Sequence, residues 1–150
     1  MLYERKRTFG REPIDLKDAA LAMVGETGAS AAVYAGSLGL SGTTATAGTL
    51  DYESDNQHFP EENTLEVFGW EDAGSAADGA TLTITLQSSA NGTDWKNEVE
   101  FALVQGDIKK DELIRRFSIP AQAGRHMRLK LVGGVEAFTA GKILALVRPL

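Results

Sequence analysis

The chain has 150 residues, 43% of them hydrophobic, with a formal charge of −6 and a pI near 4.9. That length supplies one domain with a real core rather than two, and the acidic balance argues against wrapping nucleic acid, whose phosphates need a basic face. With no cysteine, disulfide stapling and thiolate metal sites are excluded, and no window approaches the roughly 18 apolar residues of a membrane-crossing helix.

The first residues are polar and basic. Arg5, Lys6, Arg7 and Arg11 surround Tyr3 and Phe9, with too little apolar periodicity for a core. No apolar stretch of the kind an export signal needs follows them, because Asp15, Lys17 and Asp18 intervene. A soluble protein made in the cytoplasm is therefore expected, with an N-terminal arm that lies across a neighbouring subunit. There Tyr3 and Phe9 would bury apolar area while Arg5, Lys6, Arg7 and Arg11 meet acidic groups. Next, Pro13-Ile14-Asp15 followed by Leu16, Ala20, Met23 and Val24 fits helical spacing, with Pro13 near the first turn and Gly25 as a stop. Residues 1–28 are thus expected to form an arm that admits one short helix, and residues 29–150 a β-sandwich domain.

From Gly28 to Thr49 the composition is Gly, Ala, Ser and Thr with scattered Val33, Tyr34, Leu38 and Leu40. It suits strands and turns of a thin sandwich layer, or a flexible linker. The stretch Asp51-x-Glu53-x-Asp55 with Glu62 has the oxygen-ligand spacing of a calcium loop. However, Asn56 replaces the turn glycine and Pro60 interrupts it, so an acidic, solvated loop is expected.

The strands become clear after Thr64. Leu65 to Trp70 is the first, and Thr81 to Leu86 alternates strictly, placing Leu82, Ile84 and Leu86 on one face. Asn91-Gly92 marks a connection to a return strand in which Val99, Phe101 and Leu103 alternate with Glu98 and Glu100. Phe117-Ser118-Ile119 ends at Pro120, which cannot donate to a ladder. Met127, Leu129 and Leu131 then alternate with His126, Arg128 and Lys130. After Gly141, the run Ile143 to Val147 is apolar on both faces. It is either a central strand covered on both sides or one whose second face, with Leu144 and Leu146, is buried by an arm or a partner. Short strands at near-regular spacing with Gly-rich turns indicate an all-β sandwich or barrel.

Charge is unevenly spread: no Lys or Arg occurs from Asp18 through Asp94, and the bases gather at the N-terminus and in the second half. An acidic side and a basic side would suit ordered docking between subunits. Catalytic patterns are lacking. His58 and His126 have no ligand-type spacing, and Gly141-Lys142 is followed by Ile143 instead of the Ser or Thr of a phosphate loop. Glu98 and Glu100 are expected to face solvent or Arg128 and Lys130. Trp70 and Trp95 form no exposed aromatic stripe, and core or turn packing is expected of both. Neither enzymatic activity nor a cofactor is expected.

The sequence Ala80-Thr-Leu-Thr-Ile-Thr-Leu-Gln-Ser-Ser-Ala-Asn-Gly-Thr-Asp-Trp95, the strand Arg125-His-Met-Arg-Leu-Lys-Leu131 and the entry Ala137-Phe-Thr-Ala-Gly-Lys-Ile143 resemble the jelly-roll cement proteins that decorate the heads of tailed bacteriophages. The resemblance covers roughly Leu65 to Val147. It implies a jelly-roll β-sandwich on the outer capsid surface of a virion, binding the major capsid protein and clamping neighbouring subunits against DNA pressure. Self-association is expected as well, because closed association would hide the second apolar face around Leu144 and Leu146, with a trimer suiting the shell's local axes better than a dimer. A carbohydrate-binding or adhesin β-sandwich module is the alternative. Because no metal is expected, chelation should leave the melting temperature unchanged in a thermal melt. A rise of several degrees with calcium would instead assign the Asp51 loop a ligand role, since binding to the native state stabilises it by mass action.

Overall fold

The computed structural model describes Phe9 and residues 13–17, 33–35, 50–51, 63–91, 93–120 and 126–149. The strands there are β1 (Ile14–Asp15), β2 (Val33–Ala35), β3 (Leu50–Asp51), β4 (Asn63–Ser75), β5 (Thr81–Ser89), β6 (Lys96–Val104), β7 (Leu113–Ser118), β8 (His126–Gly134) and β9 (Phe138–Pro149). One short 3-10 turn, Gln105–Asp107, follows β6. No helix among the described residues is long and apolar enough to cross a membrane.

Two antiparallel sheets result, one in the order β1-β9-β4-β7 and the other in the order β2-β8-β5-β6. β2 and β3 share one edge of β8, Val33–Ala35 opposite Leu129–Leu131 and Leu50–Asp51 opposite His126–Met127. The two sheets pack face to face as an all-β sandwich. Leu65, Val67, Ile143, Ala145 and Val147 come from the first sheet, and Leu82, Ile84, Leu86, Leu103, Met127, Leu129 and Leu131 from the second. Each of these side chains except the small Ala145 contributes on the order of 1.5–3 kcal/mol by leaving water. At the open side of the sandwich, Phe101 of β6 stacks on Phe117 of β7 with ring centroids 4.9 Å apart.

The alternating pattern of β5 explains its place: Leu82, Ile84 and Leu86 are fully buried and pair with Leu103, Phe101 and Val99. β9 is central, flanked by β1 and β4. Ile143, Ala145 and Val147 join the core, and Leu144 and Leu146 are 0% and 5% exposed within the single chain. Both faces of this strand are therefore covered within the single chain, and its second apolar face needs no second copy to cover it. On the same outward row Glu66 lies opposite both Leu146 and Arg116. The Glu66 side chain is 3% exposed and its Oε1 accepts from Arg116 Nε at 3.1 Å and Nη2 at 3.0 Å.

The segment expected to start a helix starts as a strand. Ile14 pairs with Ile143 and Asp15 with Lys142, and the chain then turns, with the Lys17 N–H donating to Asp15 Oδ1. Sheet pairing wins because the edge of β9 offers carbonyls that a helix would leave unused. The Leu16 N–H donates to Gly141 O and the Phe9 N–H to Ala145 O, both at 2.9 Å. Leu16 and Phe9 are fully buried in the core. Phe9 is thus a core residue of its own chain and not an arm residue awaiting a neighbour. Residues 18–24, the rest of the expected helix, lie outside the described residues.

The β4–β5 turn is pinned from the opposite sheet connection. Glu136, in the β8–β9 turn, accepts from Ser75 Oγ at 2.5 Å, from the Gly79 N–H at 2.8 Å and from the Ala77 N–H at 3.0 Å. The Ser75 hydroxyl and then the Gly79 N–H stabilise the charged form, which holds the Glu136 carboxyl below its ordinary value of 4.5. A lowered carboxyl pKa stabilises the fold above the ordinary value, and that contribution is lost as pH falls through the folded-state value. Glu136→Gln should therefore lower the melting temperature at neutral pH. The gap to the unmodified chain should close as pH falls through and below the carboxylate range, as paired thermal melts would show.

Candidate functional site

The described residues outline a surface cleft of about 390 Å³ lined by Trp70, Glu71, Lys110, Asp111 and Lys142. Three pieces of chain build it. Along β4 and β9, Gly69 lies opposite Ile143 but Glu71 lies opposite Lys142, so Trp70 is an extra residue with no partner across the ladder. Such a bulge bends the strand and re-aims a side chain, here a half-buried indole placed on the cleft wall. Two residues further, Gly141 of β9 has φ +127, a conformation few L-residues adopt, and an added Cβ would stand 2.8 Å from Ala73 Cβ.

The other wall is the turn between the 3-10 segment and β7. Its backbone clasps β4 through the Gly69 N–H to Glu112 O at 2.9 Å, the Asp111 N–H to Gly69 O at 2.9 Å and the Ala73 N–H to Ile108 O at 3.1 Å. The Lys110 N–H adds a bond to Asp72 Oδ1 at 2.7 Å. Asp111 takes φ 63 to complete the turn, a region aspartate tolerates better than most residues. Lys142 Nζ stands 3.8 Å from Glu71 Oε2, with the two side chains 40% and 47% exposed. A pair so solvated contributes little stability, and both groups stay open to a ligand.

A second feature lies on the outer face of the other sheet. The Arg128 guanidinium sits 4.2 Å from the ring centroid of Trp95 and donates through Nε to Gln87 Oε1 at 2.8 Å. Gln87 Nε2 in turn donates to Asn97 Oδ1 at 2.9 Å. Asn91 orders the adjoining loop, its Oδ1 accepting from the Thr93 and Asp94 N–H groups at 2.8 Å each. This row ties β6, β5, β8 and the hairpin loop together by a cation–π contact and amide bonds.

Of the residues singled out from sequence, Tyr3, Arg5, Lys6, Arg7 and Arg11 lie outside the described residues, as does His58. Phe9, Leu144 and Leu146 are buried and present no docking surface. Asp51 belongs to β3 and pairs with His126, while the rest of the expected acidic loop, 52–62, lies outside the described residues. No group of three or more His, Asp or Glu among the described residues could hold a metal ion. Glu98 and Glu100 bond locally, to Ser88 Oγ at 2.6 Å and Thr85 Oγ1 at 2.9 Å. β5 lies between them and Arg128 and Lys130, which puts the two rows two strand spacings apart. Arg116, Lys96 and Lys142 each meet an acid of the same chain, so the bases of the second half are in part neutralised within it. Neither tryptophan is in the buried core; Trp95 packs in the hairpin loop, and Trp70 lines the cleft. Sequence reasoning missed the cleft because Glu71 meets Lys142 only through the β4–β9 register, and Asp111 joins them only through the turn that clasps Gly69. The one local signal was a tryptophan directly after a glycine within a strand.

The cleft wall depends on Gly69, where an added Cβ would lie 1.8 Å from Lys109 O and 2.6 Å from Lys109 C. Gly69→Ala should displace the turn and cost about 1–3 kcal/mol, seen as a clear fall in melting temperature. Gly106→Ala, where a Cβ meets nothing within 4 Å, should stay within about 0.5 kcal/mol of the unmodified chain.

No protein-family model matches this chain, and no curated protein matches it.

Proposed function

We propose that this chain is a cement protein of a tailed-phage head, seated on the outer capsid surface and clamping neighbouring major capsid subunits against the pressure of packaged DNA. The observation that carries the reading is the strand order. β1-β9-β4-β7 facing β2-β8-β5-β6 is the arrangement expected of an eight-stranded jelly roll made of two Greek keys, an architecture used by viral capsid domains. The stretches that resemble cement proteins fall on β5 with its hairpin loop, on β8 and on the start of β9. Adhesion without chemistry suits a sandwich whose described acids and bases mostly serve its own turns and cross-strand pairs. In this reading the chain occupies local symmetry axes of the shell, where a closed trimer fits. The contact cannot be the Leu144–Leu146 face, which the chain itself buries.

A second reading, a carbohydrate-binding or adhesin module, is favoured by the Trp70 side chain on the cleft wall. The two separate by what the chain attaches to. Purified chain added to heads of the parent phage should co-sediment with them and raise their disruption temperature. Chain left in the supernatant, with the disruption temperature unchanged, would overturn the cement reading.

A further inference from the structure

We propose that the end of the sandwich around Val135 is a docking knob for a partner protein whose surface offers an apolar hollow edged by Lys or Arg. Val135 joins β8 to β9 and takes φ 67. The Glu136 N–H donates to Gly134 O at 2.8 Å, which closes a three-residue γ-turn around Val135. With a positive φ at its centre this is the rare, strained hand of that turn, and for a β-branched side chain the conformation is an outlier. Strain of this kind persists only where the surroundings over-determine it, and it gathers at functional positions. Here the next residue, Glu136, is bonded to Ser75, Ala77 and Gly79 of the facing turn, which holds the knob in place.

The strained residue is not spent on packing. Val135 is 67% exposed, the most exposed large hydrophobic among the described residues, and glycine would hold the same turn without the strain. Val104, 50% exposed, belongs to the same end. It and Gly134 lie opposite Thr81 from its two sides, so about 10 Å of sheet separates their strands. Ala76 and Ala77, exposed in the β4–β5 turn, extend the apolar surface. That turn reaches the knob at Gly79, where an added Cβ would stand 3.6 Å from Val135 Cγ1.

The rim is acidic. Asp78, Asp107 and Glu136 lie in these three connections, and residues 75–81, 104–107 and 133–137 contain no Lys or Arg. Asp107 Oδ2 accepts from the Val104 N–H at 3.0 Å, which sets one carboxylate beside that valine. A second copy docking through the same end would set acid against acid, so charge selects a partner with a basic edge. The partner's identity rests on the cement reading, under which that surface belongs to the major capsid protein.

The test is attachment to heads prepared without the chain, measured by co-sedimentation for the unmodified chain, Val135→Gly and Asp78→Asn, with a thermal melt of each. Val135→Gly removes the knob and relieves the turn. It should melt no lower than the unmodified chain yet attach about tenfold more weakly, the effect of withdrawing one valine from a buried contact. Asp78→Asn keeps a residue that tolerates φ 56. It should weaken attachment about threefold at low salt, a difference that fades as salt screens the charge. Attachment of Val135→Gly within twofold of the unmodified chain, or of Asp78→Asn unchanged at low salt, would overturn this inference and leave the cement reading standing. A loss of attachment in Val135→Gly that only follows a lower melting temperature would overturn it too, because Val135 would then serve the fold. An unmodified chain that stays in the supernatant would overturn the cement reading and this inference with it.

Discussion

The pairing of β4 with β9 is the constraint on which the rest of this sandwich depends. It runs from Asn63 opposite Pro149 to Ser75 opposite Phe138 and joins the middle of the chain to its end. A ladder of such sequence separation must overcome a large loop-closure entropy before it is rewarded. The reward comes from the strongly apolar Ile143–Val147 run, buried on both faces. Once β9 is fixed, its free edge recruits β1 and Phe9, and β4 presents its other edge to β7. The register slips in this ladder are where it departs from a flat strand pair, and the cleft sits on the one at Trp70.

Legibility in the sequence followed the locality of the information. β5 and β8 could be read because a strand with one face buried alternates with period two, as Leu82, Ile84 and Leu86 and again Met127, Leu129 and Leu131 do. β9 could be read as unusual because a strand covered on both faces loses that alternation. The far half of β4 was illegible, since Glu71-Asp72-Ala73-Gly74 looks like a turn and becomes strand only because β9 and the 108–112 turn supply its hydrogen bonds. The apolar spacing from Leu16 resembled a helix for the same reason: nothing local reveals that Gly141 O waits for the Leu16 N–H. Phe9, an isolated aromatic in a basic stretch, has no periodicity to betray its burial.

The features around the cleft share one physical logic. Backbone groups that would be unpaired at a bulge or turn find specific acceptors: Gly69 with Glu112, Lys110 with Asp72, and the Ser75–Gly79 turn with Glu136. Each of these bonds fixes the path of its turn, with water as the only alternative partner at the exposed ones. The result is a molecule whose surface shape is set by its fold, suited to recognition through preformed contacts. That property would serve the proposed shell clamp, which gains affinity by avoiding reorganisation on binding.

The cement role is the central claim, and position on a particle tests it most directly. If the proposal holds, an electron cryomicroscopy reconstruction of heads that carry the chain should show a two-layered β-sandwich on the outer surface, bridging adjacent major capsid subunits. Heads whose outer surface lacks such density, or particles in which the chain lies in the tail or is absent, would contradict the account.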